Sequence, residues 1–279
     1  MKLIDSHVHF WNPQYLRYPW LDGLPTLNFP ILPAHVQDGE DWSVEKMVFV
    51  QAGCLPEQGL EEVLWVTSLS DNDGRIAGIV AFAPLETGEG VHGFLERLRD
   101  MAAVRGVRRL IQGEAAGFGI QPNFIHGVQL LAQYDLSFDI CIHHQQFPEV
   151  LDLVKRCPQV RFVLDHIGKP DIKAGLFDPW RRHINALSAF PNTWCKISGM
   201  VTEANLEAWT PNDLQPYLEM TLEAFGSGRI MFGSDSPVLR LAHATYPEWV
   251  GIVRQFVATL SPDEQRQIFY ENAKVFYHL

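Results

Sequence analysis

Short apolar, β-branched runs recur at nearly even spacing along the 279 residues, with amphipathic helical stretches between them. Strands are predicted at Leu3–Val8, Lys46–Gln51, Ile76–Phe82, Val107–Ile111, Ser137–Ile142, Arg161–Leu164, Thr193–Ile197 and Arg229–Gly233. Helices are predicted at Leu60–Ser70, Gly90–Met101, Phe124–Tyr134, Glu149–Arg156, Pro179–Phe190, Asp213–Phe225, Tyr246–Leu260 and Ser261–Tyr277. Parallel neighbouring strands need a crossover helix between them, so strict alternation favours a parallel sheet. Eight strands favour closure of that sheet. The expectation is an α/β fold, a single-domain (β/α)₈ TIM barrel over residues 1–279. The alternative, an open doubly wound sheet, usually carries a glycine-rich phosphate loop after its first strand. Here His7-Val8-His9-Phe10-Trp11 occupies that place.

Local chemistry supports several boundaries. Ser261-Pro262-Asp263-Glu264 and Thr210-Pro211-Asn212-Asp213 each set a capping hydroxyl before a proline and acids, the pattern of a helix N-terminus. The stretch from Phe10 to Glu45 lacks periodicity and is rich in Pro, Trp and Tyr. So long a connection after the first strand is expected to be a functional loop over the mouth of the barrel.

Composition narrows the function. The formal net charge of −11 repels phosphate, which argues against nucleic-acid and anionic-membrane partners. No run reaches the ~20 apolar residues that span a bilayer. The opening Met1-Lys2-Leu3-Ile4 meets Asp5 before a signal-like core forms. Cys54, Cys141, Cys157 and Cys195 form no CxxC pair, which fits a reducing cytoplasm. A cytoplasmic protein with a small-molecule substrate is expected; nothing bears on its oligomeric state.

The chemistry-bearing residues stand at strand ends, where active sites of this fold gather. Asp5-Ser6-His7-Val8-His9 closes the first strand; alternation puts Asp5, His7 and His9 on one side and Val8 on the other. Two imidazoles so placed can hold one divalent ion or polarise one substrate oxygen. At the eighth strand, Met231, Gly233 and Asp235 share a face, and Gly233 leaves space beside the carboxylate. The plainer reading of Asp235 is a helix cap. The sixth strand ends in Asp165-His166, followed by Gly168-Lys169-Pro170, which sets a cation suited to a developing oxyanion on the same rim. Asp165 also suits a structural hydrogen-bonding role. The fifth ends in His143-His144; alternation favours His143 facing inward, and a bulge would reverse the choice. Gln51 and Gln112 are neutral positioning groups, and Trp11, Tyr18, Trp20 and Trp209 are candidates for stacking on a ring, or simply for packing.

Four strings in order, Asp5-Ser6-His7-Val8-His9-Phe10-Trp11, Leu164-Asp165-His166-Ile167-Gly168-Lys169-Pro170, Lys196-Ile197-Ser198-Gly199 and Met231-Phe232-Gly233-Ser234-Asp235, resemble the amidohydrolase superfamily. The pattern is most similar to its sugar-lactonase branch, of L-fuconolactonases and L-rhamnonolactonases, which is related to 2-pyrone-4,6-dicarboxylate lactonase. The resemblance implies hydrolysis of a sugar-acid lactone, with Asp235 deprotonating water while His7, His9, His166 and Lys169 polarise the carbonyl and hold the ring. Further substrate contacts are expected from His143, His144, Gln51, Trp11 and Trp20. The resemblance implies no required cofactor, or one divalent ion such as zinc on His7, His9 and Asp235. A binuclear site is not expected, because the fifth strand has no lysine to carboxylate.

Two alternatives have distinct signatures. A zinc-dependent decarboxylase of an aromatic or muconate acid would use His7, His9, a fifth-strand histidine and Asp235 as ligands, with His166 carrying the proton. A non-catalytic binding barrel would not need His7, His9, His166 and Asp235 together. A dicarboxylate substrate would want several rim arginines, and the first long loop offers only Arg17.

Overall fold

A computed structural model describes residues 1–279. Eight parallel strands, β1 (Lys2–Val8), β2 (Ser43–Val50), β3 (Ile76–Ala81), β4 (Val104–Val107), β5 (Ser137–Ile140), β6 (Phe162–Leu164), β7 (Thr193–Ile197) and β8 (Ile230–Phe232), pair in sequence order. A bridge between Val8 and Ser236 joins the last strand's exit to the first, so the sheet curls into a nearly closed (β/α)₈ barrel. Helices α1 (Gly59–Ser70), α2 (His92–Arg99), α3 (Pro122–Leu130), α4 (Phe147–Arg156), α5 (Asp178–Ser188), α6 (Pro211–Phe225) and α7 (Tyr246–Phe256) wrap its outside. The last predicted helix is interrupted: α8 (Pro262–Arg266) and α9 (Asn272–Phe276) flank a wide π turn over Gln267–Glu271.

The predicted caps form. Ser261 and Glu264 bond reciprocally at the start of α8, and Asp213 accepts from the Thr210 N–H at the start of α6. Outward-facing strand residues pack beneath the helices in one large core. Inward-facing Ile4, Val48, Val50, Val80, Val163 and Met231 fill the lower barrel, and Ala273, Phe276 and Tyr277 close its floor. The interior is therefore a solid plug, and chemistry is confined to the end where the strands exit.

Two sequence expectations need correction. The fourth strand starts three residues and ends four residues earlier than predicted, because Val104-Arg105-Gly106-Val107 pairs with β3 and β5 while Arg108 already turns into the mouth. Asp5 does not share the side of His7: Asp5 pairs with Met47 and Val8 with Phe49, so β1 spends three steps where β2 spends two. That bulge resets the alternation.

Candidate active site

The strands β1 and β8 supply the centre. Gly233 permits their close approach, since a Cβ there would stand 2.8 Å from the Cβ of His7. The chain then turns at Asp235, whose φ of 56° lies in the left-handed region. Its N–H donates to the His7 carbonyl at 2.8 Å. Asp5, on the outer side, accepts from the N–H groups of Ser234 (2.9 Å) and His7 (3.1 Å), clamping the two strand ends together. Left-handed backbone costs a non-glycine residue about 1–2 kcal/mol, and this clamp holds the carboxylate over the mouth despite it.

Four residues predicted from the sequence converge there. Asp235 Oδ1 lies 3.3 Å from His9 Nε2 and 3.8 Å from both His7 Nε2 and His166 Nε2. The Nε2 atoms of His7 and His9 are 3.1 Å apart, and His9 Nδ1 donates to the Val50 carbonyl at 2.7 Å. His166 leaves β6 through a left-handed run (φ 54° at His166, 49° at Ile167, 47° at Lys169), with its Nδ1 2.9 Å from Ser198 Oγ. Lys169 stands on the same rim, 3.8 Å from Glu203.

The cavity above them, about 430 Å³, is lined by His9, His166, Lys169, Asp235, Trp20, Arg108, Gln112 and Cys141, with apolar Pro19, Leu55, Leu110 and Val238. That size and mixed lining suit a small organic ligand. A larger groove at the opposite end, about 910 Å³, gathers Lys2, Arg254 and Arg266, but each pairs with an acid (Glu45, Asp41, Glu271) and no imidazole or cysteine is present.

His7 is fully buried and is not part of this lining, and of the other predicted residues only Trp20, Gln112 and Lys169 belong to it. Trp11 is fully buried; its indole donates to the Leu27 carbonyl, and it packs edge-on against Trp20 at 5.2 Å, so it backs the cavity wall. Trp20 lines the cavity, anchored by its N–H on the Ala52 carbonyl. The Gln51 side chain accepts from the Gly53 N–H, and only its backbone carbonyl, bonded to Arg108, reaches the site. His143 and His144 both lie beyond the end of β5, in an adjoining polar depression with Gln145, Lys169, Asp171 and Glu203. Just past the end of β5 the chain sends Cys141, not a histidine, into the cavity, so the ligand set of the decarboxylase alternative is not assembled. Arg17 pairs with Asp22 at the surface.

Sequence reasoning missed Arg108, Glu203 and the role of Lys196. Arg108 is buried at the end of β4, with its guanidinium on Gln51 O (2.6 Å), Asp165 Oδ2 (3.2 Å) and His7 Nε2 (3.3 Å). Ending the fourth strand at Val107 would have exposed it as a strand-end residue. Lys196 lies inside the barrel, a position that strand alternation alone does not distinguish from the helix-facing side.

Burial governs the electrostatics. It pushes the pKa values of His7 and His166 well below the ordinary imidazole value, and that of His9 less far, so the imidazoles are neutral at pH 7. Burial also resists ionisation of Asp235, but His166, the contact with His9 and the Lys169 ammonium outweigh it and hold the carboxyl below its usual range. The site thus offers a carboxylate base among neutral imidazoles. Ligand atoms of His7, His166 and Asp235 lie within 4.8 Å of one another, and His9 Nε2 adjoins them, a set that fits one divalent ion. Outward bonding of His9 Nδ1 to a carbonyl is the usual support of a metal-bound imidazole.

Comparison with known proteins places this geometry. The amidohydrolase family profile matches residues 4–279. This chain belongs to the amidohydrolase family. It is therefore an enzyme. An L-fucono-1,5-lactonase of Burkholderia multivorans is 31% identical, over 99% of this chain and 96% of that protein. An L-rhamnono-gamma-lactonase of Scheffersomyces stipitis is 24% identical, over 100% and 99%. An amidohydrolase of Burkholderia multivorans with bound HEPES superposes with a TM-score of 0.87 at 30% identity, over the whole of both chains. An amidohydrolase of the same organism with bound zinc gives 0.85 at 29%, again over both whole chains. No helix of this amidohydrolase is long and apolar enough to cross a membrane.

Proposed function

We propose that this amidohydrolase opens a neutral, hydroxylated sugar-acid lactone, of the L-fuconolactone or L-rhamnonolactone type, to the free acid. The observation that carries the reading is the buried Asp235 carboxylate, held over a small-ligand cavity beside three imidazoles. Its lactonase relatives at about 30% identity support the ester class.

Asp235 takes a proton from water as the oxygen bonds to the lactone carbonyl carbon. The new oxyanion is stabilised by Arg108, Lys169 and the polar edge of His166, groups fixed in the cavity lining. Collapse breaks the ring C–O bond, and the proton held on Asp235 passes to the departing alkoxide. The acid product then ionises in solution. Trp20 offers an apolar face to the ring, and the depression around His143 and His144 offers polar partners to its hydroxyls. Arg108 and Lys169 already have carboxylate partners in Asp165 and Glu203. No unpaired cation therefore awaits a substrate carboxylate, which favours a neutral lactone over a dicarboxylate.

A divalent ion, when bound, would be held by His7, His9, His166 and Asp235 and would lower the pKa of bound water toward ~7. In the proposed reaction it is not required, because the Arg108 guanidinium 3.3 Å from His7 Nε2 already brings positive charge to that point. The test is a pH-indicator screen of a lactone library, with and without chelator. Turnover of one stereochemical series that survives chelation is expected. No turnover of any sugar lactone would reject the reading, and activity abolished by chelation would reject its metal-free form.

A further inference from the structure

Beneath the catalytic histidines the barrel holds charge that the proposed reaction does not touch. Lys196 on β7, Asp139 on β5, Asp165 at the end of β6 and Tyr277 after α9 are all fully buried. Each buried ion costs several kcal/mol in lost hydration, and apolar side chains of similar size often serve stability equally well. The register partners of Asp139 and Lys196 on the neighbouring strands, Val163 and Met231, are apolar in just that way. Stability therefore does not account for the charges.

Their geometry points at one ring. Lys196 Nζ lies 2.5 Å from Asp139 Oδ2, 3.0 Å from Asp165 Oδ1 and 3.2 Å from His7 Nδ1. Asp165 Oδ1 is 3.3 Å from the same Nδ1. The ammonium and the carboxylate grip one edge of the imidazole, so the opposite edge, Nε2, is turned to His9 and Asp235. Asp139 Oδ2, which anchors the ammonium, also accepts from the Tyr277 hydroxyl at 2.7 Å, and the Tyr277 ring lies 5.4 Å from Lys196 Nζ. We propose that Lys196 is a positioning residue for His7, and that Tyr277, at the floor of the barrel, locks it through the shared carboxylate of Asp139. The last turn of the chain thereby sets the orientation of a group at the mouth. The inference rests on the reading that the cluster of Asp235 and the three imidazoles, held together through His7, is the active site of a lactonase.

Tyr277→Phe removes only the hydroxyl. Lys196→Met alone would strand buried carboxylates, so the second variant is the charge-balanced Lys196→Met/Asp139→Asn. With a lactone substrate, the double variant should lose about 10- to 100-fold in kcat, the usual effect of removing a group that orients a catalytic residue. Tyr277→Phe should lose roughly 2- to 10-fold, the equivalent of one hydrogen bond. KM should stay within about twofold for both if only the orientation of His7 is lost. A merely structural role would lower the Tm and leave kcat alone. Crystal structures of both variants read the His7 ring directly, without any substrate: rotation about its χ2 supports the proposal, and a ring left in place with wild-type kcat overturns it. If the wild-type enzyme opens no lactone, the functional reading falls, while the ring orientation still decides the positioning role.

Discussion

Replacing Asp235 with asparagine tests the general base with little disturbance of shape. Asparagine has the volume of aspartate and tolerates the left-handed backbone that Asp235 adopts at φ 56°, so the turn after β8 should persist. The Asp235 N–H would still reach the His7 carbonyl. What disappears is the negative charge 3.3 Å from His9 Nε2 and 3.8 Å from His7 and His166 Nε2, and with it the capacity to accept a proton. General-base catalysis contributes about 10²–10⁴-fold. At ~1.36 kcal/mol per decade, the barrier should rise by about 2.7–5.4 kcal/mol. The assay is initial-rate hydrolysis of the best lactone from the screen, monitored by proton release, with a thermal melt confirming the fold. Because the interaction is made in the transition state, kcat should fall and KM should change little. A folded Asp235→Asn enzyme with wild-type kcat would remove Asp235 from the mechanism.

Other consequences follow from single contacts. Gly199→Ala should abolish activity, since its φ of 56° disfavours a side chain and the new Cβ would stand 2.4 Å from His166 Nδ1 and 3.0 Å from Asp235 Oδ2; an active alanine variant would show that the site tolerates displacement of His166. Trp20→Ala should raise KM with kcat nearly unchanged, because Trp20 lines the cavity without touching the charged centre; a lower kcat at constant KM would contradict that. Burial raises the pKa of Glu62 from 4.5 to about 7, so between these values the folded state holds more protons than the unfolded one and stability falls as pH rises. The full effect is on the order of 3 kcal/mol. Glu62→Gln should flatten that decline in melts taken from pH 5 to 8, since an amide oxygen can still accept from the Ala52 N–H; an unchanged slope would rule out Glu62 as its source.

Much of the architecture was legible because it depends on local pattern. Ser261-Pro262 and Thr210-Pro211 mark helix starts through caps that need only neighbouring residues. The four strand-end residues His7, His9, His166 and Asp235 were found because strand, polar terminus and turn are adjacent in sequence. Asp5 was misplaced because alternation presumes an unbroken ladder, and the bulge of β1 is defined by its partner β2. Arg108 was missed for the same kind of reason. Val107-Arg108-Arg109-Leu110-Ile111 reads as strand, yet pairing with β3 and β5 stops at Val107. His143 and His144 were left open between two faces; β5 ends at Ile140, so strand alternation no longer governs either, and both sit in the side depression.

The order of strands and helices, the parallel sheet and the residue types at the strand ends are properties of the sequence alone, since periodicity and capping act over a few residues. Which side chains meet is settled only by closure of the barrel. Closure brings Lys196 within 3.2 Å of His7 across 189 positions and sets Tyr277 against Asp139 across 138. Such contacts depend on register between distant strands, and an error of one residue turns each side chain to the opposite face.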